Sequence, residues 1–298
     1  MNWVIQKMID SNRRDYEQLL AGRAISEQAK EGVQLVADVP YVPDGNPKHT
    51  IDIFVPDCAD TKIPVIVNIH GGGLIMGDKA FNRHFCYRMS QMGFLVFSVA
   101  YRLCPEVTVF QQLQDIAKAM NHIDRLVPKY RGKQGLVHIV ADSAGAFLAL
   151  YTAALQRNPT LAKAAGVRPS YLEIQSMALI SGMFYTLRKD KIGLVMPKVF
   201  YGEGYQNHPF YPYLNPAHLS VSISQPPCML ITSRKDFLHN YSLELASALR
   251  RGMTPCILKD YGDGKELTHA FPVFEPELAT SKKVLEDIKR FFLNNDYE

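Results

Sequence analysis

The sequence lacks any ordered arrangement of cysteines. Its 298 residues include five cysteines, an odd number with no CxxC pair, so neither a zinc site nor a disulfide framework is indicated. Several of them lie in apolar stretches, where a reduced cysteine behaves as a small core residue. This usage favours a reducing compartment. The five are Cys58, Cys86, Cys104, Cys228 and Cys256.

Long hydrophobic runs are also missing. No run reaches the roughly 18 apolar residues that a membrane span requires. The first 20 residues carry Asp10, Arg13, Arg14 and Asp15 where a signal peptide would have its apolar core. We therefore expect a soluble, cytoplasmic protein without stable membrane insertion.

The sequence has no large excess of either positive or negative charge. The formal net charge is +4, and lysines and arginines are scattered; the longest basic runs, such as 13–14 and 250–251, are typical of solvated helix faces. No basic cluster gives an electrostatic reason to expect nucleic acid as a partner. With 47% apolar and 21% charged residues, the composition is that of an ordinary globular protein.

Short apolar runs alternate with helix-period segments along most of the chain. The first two runs, separated by a turn-rich segment, predict an antiparallel start to a sheet. Later runs are apolar on both faces, which is typical of a mostly parallel sheet covered by helices on both sides. The predicted strands are 33–39, 50–55, 64–69, 94–101, 136–141, 177–181, 228–232 and 255–261. The predicted helices are 2–21, 82–92, 109–126, 144–156, 241–251 and 276–293.

One segment breaks this alternation. Residues 184–216 contain four prolines and eight aromatic residues without a clean period. A long irregular insert in a compact domain is often functional, and the many aromatics argue against disorder. We expect this segment to form part of a cap over the site, together with the N-terminal helix. Its aromatics either line a substrate pocket or pack the cap against the body.

A serine stands among small residues at a predicted strand-to-helix turn. Residues 140–146 read VADSAGA; they come at the end of an apolar strand and open into a helix-forming run. This pattern is typical of a nucleophile elbow, whose tight bend exposes the serine Oγ and requires neighbours without bulk. The candidate nucleophile is Ser143. The competing interpretation is that Ser143 only caps the helix N-terminus.

Three successive glycines follow the strand at 64–69, in the order His70-Gly71-Gly72-Gly73. Glycines allow backbone N–H groups to turn toward a ligand. The N–H groups of Gly71, Gly72 and Ala144 are therefore candidates for an oxyanion hole. A flexible turn is the alternative interpretation.

An acid and a base follow the last two predicted strands. Asp236 lies four residues past the strand at 228–232, and His269 follows the final strand. A serine triad on such a sheet takes the chain order Ser, Asp or Glu, His, and these positions fit it. In that arrangement the Asp orients the imidazole, and the His takes the Ser143 proton and later returns it to the leaving group. Asp260 and Asp263 are rival acids, but both lie on or just after the strand that precedes the His.

Taken together, these motifs resemble the hormone-sensitive-lipase-like branch of the α/β-hydrolases, a family of bacterial and animal carboxylesterases. That family has HGGG, GDSAGG and DYRLAPE motifs, an acid in a DPL-type loop and a base in HGF. Both outer glycines of the elbow are alanine here, an Ala replaces the Asp of DYRLAPE, and another replaces the Gly after the base. None of these departures removes a reacting group. The counterparts are His70–Gly73, 141–146 (ADSAGA), 100–106 (AYRLCPE), 236–238 (DFL) and 269–271 (HAF).

The resemblance implies one α/β-hydrolase domain over residues 1–298, with a mostly parallel central sheet and cap elements from about 1–30 and 184–216. It implies hydrolysis of a small-molecule carboxylic ester through an acyl-enzyme, with no metal or organic cofactor. A compact cap favours short acyl chains. The residues predicted to contact the substrate are His70, Asp142, Tyr201 and Tyr205.

Two other functions stay open at this point. An acylaminoacyl-peptidase-like or arylformamidase-like amide hydrolase would use the same acyl-enzyme route, so the residues do not separate it from an esterase. A non-catalytic ligand-binding protein on this fold is the third hypothesis, but relatives of that kind usually lack a triad member. By analogy with the family, a homodimer paired through the last strand, 255–261, is a further expectation.

Overall fold

One eight-stranded sheet forms the centre of the protein. The computed structural model describes residues 3–22, 24–58 and 62–294. The strands are β1 (Val33–Pro40), β2 (Thr50–Pro56), β3 (Ile63–Ile69), β4 (Leu95–Val99), β5 (Gly132–Asp142), β6 (Ser176–Ile180), β7 (Cys228–Thr232) and β8 (Cys256–Asp260). Their order is β1-β2-β4-β3-β5-β6-β7-β8. β2 pairs antiparallel with both β1 and β4, and all other neighbours are parallel. The predicted fold class, a mostly parallel α/β sheet with an antiparallel start, is confirmed.

Helices connect the parallel strands and cover both faces of the sheet. They are α1 (Trp3–Ala21), α2 (Glu27–Lys30), α3 (Arg83–Gln91), α4 (Val109–Leu126), α5 (Ser143–Arg157), α6 (Pro159–Ala165), α7 (Lys191–Val195), α8 (Pro197–Tyr201), α9 (Leu219–Ser222), α10 (His239–Arg251), α11 (Phe271–Phe274) and α12 (Ala279–Asn294). Short 3₁₀ turns lie at Lys79–Asn82, Val127–Tyr130, Tyr205–Asn207 and Tyr211–Tyr213. Within the described ranges, no helix combines the length and apolar character needed to cross a bilayer.

The central strands are mostly apolar because each of their faces meets a separate hydrophobic core. Along β3, Val65 and Val67 join the core that includes α4 and α5, whereas Ile66 joins the core that includes α3 and α12. Successive side chains of a strand point to opposite faces, so a strand covered on both sides has no position for an exposed residue. This explains why the runs that predicted the sheet show little alternation.

The segment 184–216 contains more helical structure than its irregular sequence suggested. Asp190 caps α7 by accepting the N–H groups of Ile192 and Gly193, and Pro197 begins α8. These are local signals for short helices in a stretch without a long period. The predicted cap element at about 1–30 corresponds mainly to α1, and its residues 1, 2 and 23 lie outside the described residues.

The elbow between β5 and α5 depends on a close approach of α5 to the end of β3. At Gly145, an added Cβ would overlap the carbonyl oxygens of Ile69 and His70. Because neither backbone oxygen belongs to a flexible side chain, only glycine permits this contact without a shift of α5. Because the central strands are parallel, their carboxyl ends and the loops that follow them lie at one edge of the sheet.

We predict that Gly145→Ala destabilises the protein by about 1–3 kcal/mol, because the methyl group overpacks the contact between α5 and β3. Gly22→Ala is the matched control, since its Cβ would lie at ordinary contact distances of 3.7 and 3.8 Å from backbone oxygens of α1. Its effect should stay within about 1 kcal/mol. Urea unfolding of the two variants measures this difference, and equal unfolding midpoints would contradict the steric account.

Candidate active site

Ser143 occupies the strained turn between β5 and α5. Its φ is +49°, in the left-handed region that non-glycine residues rarely adopt. The residue is buried at the first position of α5, and its backbone oxygen accepts the N–H of Met183 at 2.9 Å. Such strain persists only where the surrounding structure fixes it and is concentrated at functional sites. The turn directs the hydroxyl toward the loops that follow β7 and β8.

His269 lies between Ser143 and Asp236. Its Nε2 is 2.9 Å from Ser143 Oγ, and its Nδ1 is 2.7 Å from Asp236 Oδ1. Asp236 belongs to the loop after β7 and His269 to the loop after β8. The structure thus brings the three residues into one hydrogen-bonded chain, in which one imidazole nitrogen faces a hydroxyl and the other faces a carboxylate.

The carboxylate of Asp236 is held from several sides. Besides His269, Oδ1 accepts the N–H of Leu238 at 2.9 Å, and Oδ2 accepts the Thr232 hydroxyl at 3.3 Å. Burial alone would raise the pKa of Asp236, but the hydrogen bond and charge of His269 and the Leu238 N–H together hold it below its ordinary value. Asp236 is therefore ionised at neutral pH, the state that keeps a proton on His269 Nδ1.

The two rival acids lie elsewhere. Asp260 accepts the N–H of Gly262 at 2.9 Å and faces Arg234 at 3.7 Å. Asp263 is exposed. Neither occupies the position behind the His269 ring, which Asp236 fills.

The glycine loop after β3 is tied to the elbow through Asp142. The N–H of Gly71 donates to Asp142 Oδ1 at 3.1 Å, and the Asn82 amide donates to the same oxygen at 2.8 Å. This corrects one expectation, because the Gly71 N–H predicted for an oxyanion hole is already bonded to a carboxylate. Among the described residues, no acceptor bonds the N–H groups of Gly72 or Gly73. The N–H of Ala144 lies in the first turn of α5, where helix N–H groups have no intrahelical acceptor.

A buried polar network behind the elbow was missed in the sequence. The Asn82 amide also donates to Asn68 Oδ1 at 3.2 Å, and the same oxygen accepts the Ser98 hydroxyl at 3.1 Å. Asn68 and Ser98 stand in the apolar strands β3 and β4, and both are buried. A polar residue inside a strand buried on both faces needs a partner, so these two positions were the available signal.

The environment of Asp142 opposes its ionisation. Burial raises the pKa of its carboxyl from 3.8 to about 6, although the Asn82 amide, the charge of His269 and the Gly71 N–H partly counter this effect. Two carboxyl groups close to Ser143 therefore differ in their acidity, and only Asp236 contacts the imidazole ring.

Three residues predicted to contact the substrate do not line the cavity at Ser143. His70 is buried behind the glycine loop, where its ring stacks on Tyr101 at 4.3 Å and burial lowers its pKa to about 4. The Tyr201 hydroxyl bonds Thr186 Oγ1 at 2.6 Å, and Tyr205 packs beside it at 5.9 Å between ring centres. Tyr201 also meets Phe110 of α4 at 6.0 Å between ring centres, so this ring packs the segment 184–216 against the body. Asp142 does line the cavity.

A cavity of about 480 Å³ opens over Ser143 and His269. Its walls combine the glycine loop, the residues around Phe81 and Phe274, and the exposed ring of Phe237 against His269. Helix α1 and the segment 184–216 complete the lining. Most lining side chains are apolar. From α1 come Met8, Asn12, Tyr16 and Leu19, and from the segment 184–216 come Ile192, Met196 and Phe200. The contribution of α1 was predicted only in general terms, without these residues.

No metal-binding group is evident in the described part of the chain, since three or more His, Cys, Asp or Glu residues do not converge on one point there. The five cysteines lie within these ranges as free thiols. The site therefore offers a hydroxyl, an imidazole, a carboxylate and free backbone N–H groups, which are the parts of an acyl-transfer centre.

Comparison with known families gives one extended match. A family model described as the alpha/beta hydrolase fold matches residues 66–273. This range includes the glycine loop, the elbow and the loops that hold Asp236 and His269.

Solved structures of esterases share the fold over almost the whole chain. Esterase B from Lactobacillus Rhamnosis, solved with a C4-C4 SN3 tributyrin phosphonate, has a TM-score of 0.90 at 23% identity, covering 98% of this chain and 95% of that one. Brefeldin A esterase, a bacterial homologue of human hormone sensitive lipase, has a TM-score of 0.76 at 18% identity, covering 96% and 84%. At such identities the likeness shows the fold.

Curated relatives match a shorter region. A probable isoprenylcysteine alpha-carbonyl methylesterase of Arabidopsis thaliana is 25% identical over 104 residues, which is 35% of this chain and 25% of that protein. The chain thus spans about a quarter of the length of the curated relatives it matches.

The raised pKa of Asp142 predicts a pH-dependent stability. A carboxyl whose pKa is higher in the folded than in the unfolded chain stabilises the fold below pH 3.8, and this contribution is lost as pH rises through about 6. Relative to wild type, Asp142→Asn should therefore gain on the order of 3 kcal/mol in unfolding free energy between pH 4 and pH 7.5. Urea unfolding of both proteins across this range tests it, and a difference independent of pH would contradict the assignment.

Proposed function

The chain belongs to the alpha/beta hydrolase fold family, and from this premise we propose that it is a serine esterase that hydrolyses carboxylic esters through an acyl-enzyme. The observation that carries the proposal is the position of the His269 imidazole, which bonds Ser143 Oγ at 2.9 Å and Asp236 Oδ1 at 2.7 Å. A serine hydroxyl becomes a nucleophile at neutral pH when an imidazole can take its proton and a carboxylate stabilises the protonated imidazole.

The proposed reaction has two halves. In the first, Ser143 Oγ bonds the ester carbonyl carbon while its proton moves to His269 Nε2; the C–O bond to the alcohol then breaks, and His269 returns the proton to the departing alkoxide. In the second, water loses a proton to His269 and attacks the acyl-enzyme, and the same proton restores the Ser143 hydroxyl as the acid leaves. Asp236 stays ionised and stabilises the imidazolium in both halves.

The negative charge on the tetrahedral carbonyl oxygen requires hydrogen-bond donors beside Ser143. We assign this role to the N–H groups of Gly72, Gly73 and Ala144, which have no acceptor among the described residues. Gly71 is reassigned, because its N–H holds Asp142 and so fixes the distance between the glycine loop and the elbow. A side chain at Gly72 would overlap the Met76 carbonyl oxygen, which restricts this loop position to glycine.

Two observations favour small esters as substrates. Esterase B, which shares the fold, was solved with a C4-C4 tributyrin phosphonate. The cavity of about 480 Å³ is in the lower half of the range found for small-molecule sites. Its apolar lining suits an uncharged acyl chain of a few carbons.

The identity of the triad acid is tested by a pair of variants. Asp236→Asn should lower kcat for p-nitrophenyl butyrate by about 10³–10⁴-fold, because the amide neither fixes the His269 tautomer nor stabilises the imidazolium. Asp263→Asn, which changes an exposed aspartate on the neighbouring loop, should leave kcat within about twofold. Steady-state kinetics of both variants decides the point, and the reverse order of effects would overturn the assignment of Asp236.

The cavity predicts a limit on acyl length. In a series of p-nitrophenyl esters, kcat/KM should be highest near four carbons and fall at least tenfold by twelve, since longer chains exceed the cavity. Rates measured below the solubility limit of each ester make the comparison valid. A steady rise from acetate to palmitate would reject the short-chain assignment while leaving the esterase itself intact.

A further inference from the structure

Helix α1 presents one stripe of residues to the cavity over Ser143. Met8, Asn12, Tyr16 and Leu19 recur at the three- to four-residue spacing of one helix face, and all four line the cavity. Met8, Tyr16 and Leu19 present mainly apolar surface. Asn12 places a side-chain amide where this periodicity calls for an apolar residue.

The orientation of this stripe is fixed by polar contacts of Arg13, next to the stripe, and of Tyr16 within it. Arg13 donates to the backbone oxygens of Ile75 and Cys104 at 2.7 and 2.9 Å and forms an ion pair with Glu106 at 2.6 Å. The Tyr16 hydroxyl accepts the N–H of Asp78 at 3.1 Å. Asn12 directly precedes Arg13 and lies one turn before Tyr16 on the same face, so the contacts of these two residues with the body keep Asn12 turned toward the cavity.

The Asn12 amide has no protein partner there. Within the described ranges, no residue hydrogen-bonds its side chain, whereas the Asn82 amide in the same cavity wall is bonded to both Asp142 and Asn68. An amide covered by an apolar ligand without a partner loses its hydration and is disfavoured. Asn12 therefore weakens the binding of a purely hydrocarbon substrate and strengthens that of a substrate with a polar group opposite it.

The position of α1 indicates which part of an ester lies near Asn12. The Tyr16 ring stacks on Phe81 at 4.6 Å, and Phe81 meets Phe274 edge-on at 5.1 Å. Phe274 lies in α11, which begins two residues after His269. This aromatic wall thus joins α1 to the side of the cavity where His269 would hand its proton to the departing alcohol.

We infer that Asn12 is a specificity-determining residue that hydrogen-bonds an uncharged hydroxyl or carbonyl group on the alcohol part of the ester. The inference rests on the proposed esterase function and adds the substrate class, an ester of a polar, polyol-like alcohol. An anionic alcohol does not fit this description, because none of the described residues that line the cavity is a lysine or arginine. The amide can both donate and accept a hydrogen bond, so it can pair with either a hydroxyl or a carbonyl group of the substrate.

A matched pair of esters tests the inference. Glycerol 1-monobutyrate and n-propyl butyrate share the acyl chain and a three-carbon alcohol, and they differ in two hydroxyl groups. For wild type, kcat/KM should be higher for the glycerol ester. In Asn12→Leu, which keeps the side-chain size, the glycerol-to-propyl ratio should fall about three- to tenfold, the loss of one neutral hydrogen bond.

Gln18→Leu is the control variant, since it removes an exposed amide from the same helix outside the cavity lining, and its ratio should equal that of wild type. Thermal unfolding of both variants shows whether α1 is retained. An unchanged ratio in Asn12→Leu, or a wild type that prefers the propyl ester, would overturn the role of Asn12 while both esters are still hydrolysed. If wild type cleaves neither these esters nor p-nitrophenyl butyrate, the proposed function itself fails, and the inference fails with it.

Discussion

The tight turn from β5 into α5 is the constraint on which the rest of the site depends. Ser143 accepts a left-handed backbone conformation there, and Gly145 lets α5 lie against the carbonyl oxygens at the end of β3. Because the neighbouring strands are parallel, their carboxyl ends meet at the same edge of the sheet as this turn. The loops after β7 and β8 then need to supply only one side chain each, and they supply Asp236 and His269. A local strain in one turn is thus stabilised by the packing of two hydrophobic cores on either face of the sheet.

Two carboxyl groups near Ser143 illustrate how the surroundings assign different tasks to the same chemical group. Asp236 meets the imidazole, a backbone N–H and a hydroxyl, and its pKa is held below the ordinary value. Asp142 is more deeply buried, and burial raises its pKa to about 6 despite the Gly71 N–H and the Asn82 amide. The surroundings of Asp236 therefore keep it ionised, so that it stabilises a neighbouring positive charge. Asp142 acts as a structural tie between the glycine loop and the elbow, at some cost in stability above pH 6.

Much of the fold and the three residues of the candidate triad could be predicted from the sequence, for a physical reason. Apolar runs without alternation mark strands buried on both faces, and Ser143 and Asp236 follow such runs by one and four residues. His269 lies nine residues past β8, a strand that is only partly buried, and was found from its place in the chain order of a serine triad. The position of a residue just after a buried strand therefore predicts that it lies at the carboxyl edge of the sheet. The same reasoning failed for His70, Tyr201 and Gly71. Whether a ring or an N–H group faces the cavity or the body depends on its packing partners, here Tyr101, Thr186 and Asp142, which no local sequence pattern identifies. Asn82 and Asn12 were missed because a single amide in a helix or turn carries no pattern until its neighbours are known.

The most direct test of the central claim is covalent labelling of Ser143. A fluorophosphonate reacts with a serine that is activated by an imidazole and lies beside an oxyanion hole. It leaves ordinary serines unmodified. Intact-mass and peptide mass spectrometry of the native protein should show one adduct per chain, located on Ser143. The adduct should be absent in Ser143→Ala and formed far more slowly in His269→Ala. A native, folded protein that remains unlabelled, or one labelled equally well after Ser143→Ala, would contradict the account.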